Sequence, residues 1–237
     1  MTTTYAYFNQ KGGVGKTTLA VHHAVMLAEC GSTPLLIDVD RQRHASGWLS
    51  ASQFAVPARY CPPKDLAAEL RKAARLREGH VLHKELEAHD TIIIDAPGEL
   101  DVAKPVLLLA DVVVLPCVPG VDDLASSLET IGAIDRARSR RNGRPVPVIC
   151  LNRVDRRTRI GRDAIAALEK LDLKGVLTCK TGMPTRAAVG RARLAASVVS
   201  NIQSGRLAAV EMRMLLSEIE EYGERATHPS GDGRRAA

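Results

Sequence analysis

The stretch YAYFNQKGGVGKTT at residues 5 to 18 decides the fold. It begins with an aromatic, apolar run typical of a buried strand, continues through a glycine-rich loop and enters a segment of helical periodicity. Glycines let a backbone fold around an anion with its N–H groups pointing inward, and the N-terminus of the following helix adds a favourable dipole. The stretch therefore predicts a strand, a phosphate-binding loop and a helix in immediate succession.

Residues 10 to 17 of this stretch align with the phosphate-loop pattern GxxxxGK[ST]. Gly15, Lys16 and Thr17 match the end of the pattern, whereas Gln10 stands where its first glycine would be. In such loops the lysine reaches the β- and γ-phosphates and the hydroxyl binds Mg²⁺. We therefore predict a nucleotide site in which Lys16 carries the principal charge.

A Rossmann dinucleotide site is the competing interpretation of the glycines, and the acidic Asp38 that follows superficially fits it. That pattern needs a third glycine at a position that Thr18 occupies in this sequence. It also gives Lys16 no function, because glycine backbone alone cradles the pyrophosphate. The phosphate loop of a P-loop protein is therefore the better interpretation.

Apolar runs alternate with segments of helical periodicity along the chain. Such alternation predicts a doubly wound α/β fold, with a mostly parallel sheet covered by helices on both faces. The predicted strands are YAYF (5–8), PLLIDV (34–39), TIIID (91–95), DVVVLP (111–116), PVICL (147–151) and a candidate sixth, GVLTC (175–179). The predicted helices include 16–30, 64–88 and 121–139. The length fits one domain at 1–225, followed by a disordered tail at 226–237.

A last helix is predicted from a stripe of apolar residues at helical spacing, which we expect to pack on the sheet. The stripe consists of Leu207, Val210, Met214, Leu215, Ile219 and Tyr222. Glutamates flank it, and the tail that follows has no apolar face. This helix therefore does not resemble the short basic amphipathic helix of a membrane-surface protein.

Charge is distributed unevenly along the chain. Residues 1–135 carry 12 Lys and Arg against 17 Asp and Glu, a net of −5, whereas residues 136–237 carry 21 against 10, a net of +11. A basic second half is typical of proteins that bind a polyanion such as nucleic acid, although solvated helix faces would give the same count. Aromatic residues are scarce there, which favours phosphate contact over base stacking.

The five cysteines show no CxxC pair and no metal-ligand spacing, and they suggest reduced, mostly buried thiols. We see no export signal and no apolar run of the roughly 20 residues that a spanning helix needs. We therefore expect a soluble, cytoplasmic protein without a metal cluster.

Four segments resemble, in family order, the motifs of the ParA/MinD group of P-loop ATPases, and most closely those of the ParA-type DNA-partition ATPases. They are FNQKGGVGKTT (8–18), similar to the deviant Walker A motif, DVDRQRHAS (38–46), IIIDAPG (92–98), similar to Walker B, and NRVDRRTR (152–159). Arg41 departs from the family's usual proline, and Glu99 from its usual proline or small residue. Since the loop begins at residue 11, we expect a small form without an N-terminal helix-turn-helix.

The resemblance implies a role for each matching residue. Lys11 would reach the phosphates bound by a partner subunit, Asp40 would orient the attacking water, and Asn152 would contact adenine. ATP would be held by Gly12, Gly13, Val14, Gly15, Lys16, Thr17 and Thr18, with Thr18 on the α-phosphate. Mg²⁺ and its water shell would be held by Thr17, Asp38 and Asp95.

The function that the resemblance implies is ATP-dependent partition. Such a protein forms an ATP-sandwiched homodimer, binds nucleoid DNA without sequence specificity, and hydrolyses ATP slowly until a centromere-bound, ParB-like adaptor stimulates it. Candidate DNA contacts in the basic half are Arg186, Arg191 and Arg193. One alternative is a MinD-like membrane-cycling ATPase. The other is an iron-protein-like reductase, which would need cluster cysteines that the sequence does not show.

Overall fold

Parallel β-strands form the centre of the computed structural model, which describes residues 2–66, 68, 88–171 and 173–227. The strands run in the order β3-β2-β4-β1-β5-β6-β7, with β8 beside β6, and every pair is parallel. They are β1 (Thr3–Tyr7), β2 (Pro34–Asp38), β3 (Ala58–Tyr60), β4 (Thr91–Asp95), β5 (Val112–Cys117), β6 (Val146–Val154), β7 (Leu177–Thr178) and β8 (Met183–Pro184). The predicted doubly wound α/β fold is confirmed, and β3 and β8 are strands that the sequence patterns missed.

Helices cover both faces of the sheet. They are α1 (Lys16–Glu29), α2 (His44–Ser50), α3 (Leu100–Leu109), α4 (Val121–Arg138), α5 (Arg159–Glu169), α6 (Ala187–Leu194) and α7 (Arg206–Thr227), with a 3-10 turn at Val199–Asn201. Most of the helix predicted over 64–88 lies outside the described residues. So does 228–237 of the predicted tail, whereas residues 226 and 227 belong to α7.

Side chains of the strands alternate between two apolar cores because successive residues of a strand point to opposite faces. In β1, Tyr5 and Tyr7 lie in the core beneath α1 and α7, whereas Ala6 lies in the core beneath α3 and α4. The side chains of β4 alternate between the same two cores. Burial on both faces explains why these strands appear in the sequence as continuous apolar runs.

The chain leaves β1 at the place where the strand order reverses. From β1 it passes to β2 on one side, and from β4 it crosses β1 to reach β5 on the other side. In open α/β sheets, ligands bind outside the carboxyl ends of the strands at such a switch point. The loop between β1 and α1 occupies this position.

The last helix packs on the sheet with a different face from the one predicted. Leu215 and Ile219 are buried as expected, but Leu207, Val210 and Met214 are 56%, 52% and 57% exposed. The buried ridge consists of Ala208, Met212, Leu215, Leu216, Ile219 and Gly223. The helix presents this smaller ridge because it approaches β1 closely, and a Cβ atom on Gly223 would lie 2.0 Å from the Tyr5 hydroxyl. The predicted stripe is therefore wrong for its first three members.

Candidate nucleotide site

The loop from Gln10 to Gly15 closes over the start of α1 in the manner of an anion cradle. Gly13 and Gly15 have φ values of 76° and 102°, in the left-handed region that favours glycine. A Cβ atom on Gly15 would lie 2.1 Å from the Asn152 amide nitrogen, so a side chain is excluded there. This residue immediately precedes α1, whose unpaired N–H groups and dipole face the loop.

Two residues that the sequence analysis left without a role fix this loop. The Asn9 amide donates to the Pro116 carbonyl at 2.9 Å, and its oxygen accepts from the Lys11 backbone N–H at 3.1 Å. Gly98, at the end of the Walker B segment, lies so close that a Cβ atom would be 2.7 Å from the Gln10 carbonyl oxygen. Both residues lie inside the motifs quoted above. The polar side chain of Asn9 and the absence of a side chain at Gly98 were the signals that could have identified them.

Lys16 is held over the loop. Its ammonium donates to the Lys11 carbonyl at 3.1 Å. Burial lowers the pKa of Lys16, and Asp95, Asp40 and Glu99 oppose that shift with their negative charges. These carboxylates therefore lie within electrostatic range of the ammonium.

Thr17 and Asp95, two of the three residues predicted to hold Mg²⁺, are hydrogen-bonded to each other. The Thr17 hydroxyl donates to one Asp95 oxygen at 2.7 Å, and the other oxygen is buried without a hydrogen-bond partner among the described residues. Burial raises the pKa of Asp95 to about 7, although the Thr17 hydrogen bond opposes this shift. A buried carboxylate with an open oxygen beside a hydroxyl offers the hard oxygen ligands that Mg²⁺ prefers. The residues present fit the ion.

Asp38 is used differently from Asp95, although the two residues are paired in the register of β2 and β4. One Asp38 oxygen accepts from the backbone N–H of Asp40 at 3.0 Å, and the other accepts from the N–H and hydroxyl of Ser46 at 2.9 and 3.0 Å. Asp38 thus ties together both ends of the loop that carries Asp40. Its place in a metal's water shell stays a prediction, and Ser46 is a positioning residue that the sequence analysis missed.

Asp40 lies at the mouth of the site, where it is partly exposed. Its carboxylate accepts from the Gln42 N–H at 2.9 Å, and its carbonyl accepts from the Arg43 N–H. The loop then turns at Arg43, which has a φ of 54° and stacks over the Tyr60 ring at 4.3 Å. The unusual Arg41 is exposed. This loop therefore holds Asp40 with local hydrogen bonds and without the proline that is usual at position 41.

Asn152 braces the phosphate loop from the end of β6. Its amide donates to the Val14 carbonyl at 2.7 Å, and its oxygen accepts from the Arg153 N–H at 3.0 Å. Beside it, β8 brings Pro184 to the same edge of the sheet. A cavity of about 780 Å³ opens there, with Asp155 and Pro184 in its wall. Adenine contact by Asn152 stays a prediction, and it would have to use the second amide hydrogen.

Two adjacent histidines of α1 are both buried, because this helix is covered by the sheet, α2 and α7. His22 bridges the Thr18 carbonyl, 2.7 Å from Nδ1, and the Val199 N–H, 3.2 Å from Nε2. His23 contacts the Tyr7 hydroxyl at 2.9 Å and Glu220 at 3.3 Å. The bonds of His22 require a neutral ring, with the proton on Nδ1.

Burial lowers the pKa of His22 to about 4, and the hydrogen bond that His22 donates to the Thr18 carbonyl opposes this shift. The unfolded chain takes up a proton near pH 6.5, so it binds more protons than the folded chain between about pH 6.5 and 4. The free energy of unfolding should therefore fall by about 2 kcal/mol from pH 7 to pH 5 through this one group. Urea titrations should show this loss in the wild type and a correspondingly smaller loss in His22→Gln. Parallel pH profiles for the two proteins would contradict the assignment.

The three predicted DNA-contacting arginines do not form one uniform stripe. Arg186 makes a two-point ion pair with Glu211, so its charge is already engaged. Arg191 is exposed and donates to the Ser204 hydroxyl at 2.7 Å, whereas Arg193 stacks over Trp48 at 4.6 Å. Two residues apart on α6, these last two point to opposite sides of the helix. Contact of these arginines with DNA stays a prediction.

A parallel α/β sheet with a glycine loop, a lysine and a threonine at its switch point, facing a buried carboxylate, defines a P-loop nucleotide-binding protein. Residues 5–197 match the model of the CobQ/CobB/MinD/ParA nucleotide binding domain. The chain belongs to this family.

Individual proteins and solved structures also resemble this chain. The chain is similar to the maintenance of carboxysome distribution protein A of Halothiobacillus neapolitanus, with 30% identity over 91% of this chain and 95% of that protein. It is 28% identical to the chromosome partitioning protein ParA of Caulobacter vibrioides over 64% of this chain and 70% of the other. Among solved structures, apo McdA of Cyanothece superposes with a TM-score of 0.70 at 17% identity, covering 93% of this chain and 99% of that one. An ATP complex of that McdA, with a D38A substitution, gives a TM-score of 0.67 at 16% identity and covers 92% and 96%.

Proposed function

We propose that this protein is a ParA-type ATPase that binds ATP and Mg²⁺, dimerises around the nucleotide, binds DNA without sequence specificity and hydrolyses ATP when a protein adaptor engages it. The observation that carries the proposal is the arrangement of two hydrogen bonds at one loop. Lys16 binds the Lys11 carbonyl over the loop, and Thr17 binds Asp95 beneath it. Membership in the ParA/MinD family supports the same chemistry.

Phosphoryl transfer to water depends on positioning and charge neutralisation more than on covalent chemistry. Lys16 and the loop N–H groups would bind the β- and γ-phosphates, and Thr17 and Asp95 would hold Mg²⁺. The ion, when bound, neutralises charge between these phosphates. Asp40 would orient the attacking water, since its carboxylate lies at the mouth of the site within electrostatic range of Lys16. Thr18 would bind the α-phosphate, because it lies in the first turn of α1.

Lys11 would complete the site of a second subunit. Its backbone is fixed on both sides, by Asn9 through the N–H and by Lys16 through the carbonyl. The loop therefore determines where the Lys11 side chain starts, at the entrance of the site. In this arrangement ATP becomes part of the subunit interface, and dimerisation depends on the nucleotide.

DNA binding by the basic half should be electrostatic. Each phosphate contact should lower the affinity by about 0.9 log units for every tenfold rise in salt. Replacing Arg191 and Arg193 together with alanine should therefore weaken binding to all duplexes alike and flatten the salt slope by about 2 units if each meets one phosphate. Filter binding over a salt series measures both effects.

Arg186→Ala combined with Glu211→Ala is the matched control for these arginines, because it removes an ion pair whose charges already compensate each other. It should change the salt slope less than either neighbour. An unchanged slope in the double variant would contradict this contact surface. The exposed arginines of the segment 153–162, such as Arg153 and Arg156, would then be the next candidates for DNA contact.

The second candidate function is the positioning of a cargo that is made of protein and not of DNA. It is favoured by the similarity, over 91% of this chain, to a protein named for carboxysome distribution. Both candidates use the same ATP-dependent DNA binding and differ in the adaptor. The gene next to the one that encodes this protein distinguishes the two candidate functions. If it encodes a DNA-binding adaptor, it indicates partition of DNA.

The membrane-cycling alternative predicts binding to lipid instead of DNA. Among the residues that the structure describes, no helix is long and apolar enough to cross a membrane. Co-sedimentation with plasmid DNA and with anionic liposomes, each with and without ATP, tests the proposal. ATP-dependent sedimentation with DNA supports it, and ATP-dependent sedimentation with liposomes alone would refute it.

A further inference from the structure

An exposed apolar groove lies along the first half of α7. Its apolar side is formed by Val210 and Met214, which are more than half exposed, and Leu207 is equally exposed one turn before Val210. The residues from Ser200 to Gln203 form the opposite wall. The cavity between them has a volume of about 720 Å³. Large exposed apolar side chains at helical spacing beside a cavity are typical of a protein-binding surface.

The wall of the groove is a tightly built turn. The 3-10 turn at Val199–Asn201 is followed by Gly205, where a Cβ atom would lie 2.2 Å from the Val199 carbonyl oxygen. The Gly205 N–H donates to the Ile202 carbonyl at 2.6 Å. Because the backbone fills this turn, the wall cannot collapse onto the apolar residues of α7. The groove is therefore preformed.

The rim of the groove is basic. Arg206 is exposed, and Arg213 is 61% exposed with only a 4.0 Å contact to Glu29. None of the residues that line the groove in the described part of the chain is acidic. An occupant therefore gains from apolar side chains in the groove and carboxylates against the rim.

The groove also connects directly with the nucleotide loop. The Val199 N–H, in the turn that leads into the wall of the groove, donates to His22, and His22 donates to the Thr18 carbonyl in the first turn of α1. Two hydrogen bonds through one buried ring thus join the groove wall to the helix that begins at the phosphate loop.

We propose that this groove binds an amphipathic helix of a partner protein, with its apolar side chains against Val210 and Met214 and its acidic side chains against Arg206 and Arg213. The proposal deepens the proposed function, and rests on it, in that it gives the adaptor a surface and a chemistry. A concave groove fits a helix better than a flat bilayer does.

The test uses labelled helical peptides and fluorescence anisotropy. One peptide carries leucine on one face and glutamate on the flanks, and a second carries lysine on the flanks. The full-length protein should bind the first and not the second. Val210→Asp with Met214→Glu should weaken binding by about tenfold or more, because truncating a central contact of an interface commonly costs this much. Leu108→Asp with Leu128→Glu, at exposed positions outside the groove, should have no effect.

A charge-reversal pair tests the rim. Arg206→Glu with Arg213→Glu should reverse the preference towards the lysine peptide, whereas Arg225→Glu, an exposed arginine of α7 outside the groove, should not. Equal peptide affinity in groove and control variants would overturn the proposal, as would no binding of the glutamate peptide. Vesicle binding that is lost only in the groove variant would overturn the proposal in favour of a lipid surface. Self-association in light scattering that is lost only in the groove variant would overturn it in favour of a second copy of this chain.

Two readouts separate this proposal from the function on which it rests. The Val210 and Met214 variant should keep the ATP turnover and DNA binding of the unstimulated protein. Failure of peptide binding with ATP-dependent DNA binding intact refutes the groove alone. Absence of ATP binding in the wild type, with peptide binding intact, refutes the proposed function and leaves the groove as a binding surface.

Discussion

Replacing Lys16 with alanine should weaken ATP binding by about 100-fold or more. Truncating one partner of a buried, hydrogen-bonded charge pair costs about 2–5 kcal/mol, and we propose that this ammonium is the principal charge facing the phosphates. The change also removes the hydrogen bond from Lys16 to the Lys11 carbonyl, so the fold of the variant should be checked by circular dichroism. Titration calorimetry with ATP and Mg²⁺ measures the effect.

Lys104→Ala is the control for this experiment, because Lys104 lies on the surface of α3 with a side chain that is 65% exposed. It should bind ATP as the wild type does. Near-wild-type affinity in Lys16→Ala, with the fold intact, would remove the assignment of the loop as a phosphate site.

Replacing Asp40 with alanine should abolish most ATP turnover while ATP binding and dimerisation survive. The carboxylate would act on the attacking water and not on the ground-state nucleotide, so the expected loss is in kcat, by about 100-fold or more. The trapped dimer should remain on DNA. Single-turnover hydrolysis together with nucleotide binding measures both properties.

Asp40→Asn separates the charge of this residue from its structural role. The amide oxygen can still accept the Gln42 N–H, as the carboxylate does at 2.9 Å, so the loop should keep its turn. Loss of turnover in both variants indicates that the charge is required. Full turnover in Asp40→Asn would instead make Asp40 a loop-forming residue, and unchanged turnover in both would move its role to another group.

The sequence predicted the strands of the sheet centre and the phosphate loop because each has a strong local signal. Buried parallel strands are continuous apolar runs, and the loop needs glycines and a lysine at fixed spacing. Strands β3 and β8 were missed because they contain three and two residues and show no apolar run. Their assignment depends on pairing with β2 and β6, which no local pattern reveals.

The face of α7 and the state of the arginines depend on contacts between distant segments. Helical spacing identified an apolar stripe, but the close approach of Gly223 to Tyr5 decides which side meets the sheet. Arg186 looked available for DNA because its partner Glu211 lies on another helix, 25 residues further along the chain. Composition could place positive charge in the second half and could not show which charges are already paired.

Within the candidate site, the sequence indicated which carboxylates to expect but not their hydrogen-bond partners. Asp38 and Asp95 end neighbouring strands and looked equivalent, yet Asp38 accepts hydrogen bonds from Asp40 and Ser46, whereas one Asp95 oxygen has no hydrogen-bond partner within the described ranges of the chain. Hydrogen bonds to the backbone of a following loop leave no separate signature in the sequence.

The dependence of dimerisation on both ATP and Lys11 tests the central claim most directly. Lys11 lies outside the part of the loop that matches the general P-loop pattern, and its proposed function is to reach the nucleotide of a second subunit. Multi-angle light scattering should show a monomer without nucleotide, a dimer with ATP and Mg²⁺ in the hydrolysis-deficient Asp40→Ala background, and a monomer when Lys11→Ala is added. Calorimetry should show that the Lys11→Ala variant still binds ATP. An undiminished ATP-dependent dimer in the Lys11→Ala variant, or a wild-type protein that stays monomeric with ATP bound, would contradict the account.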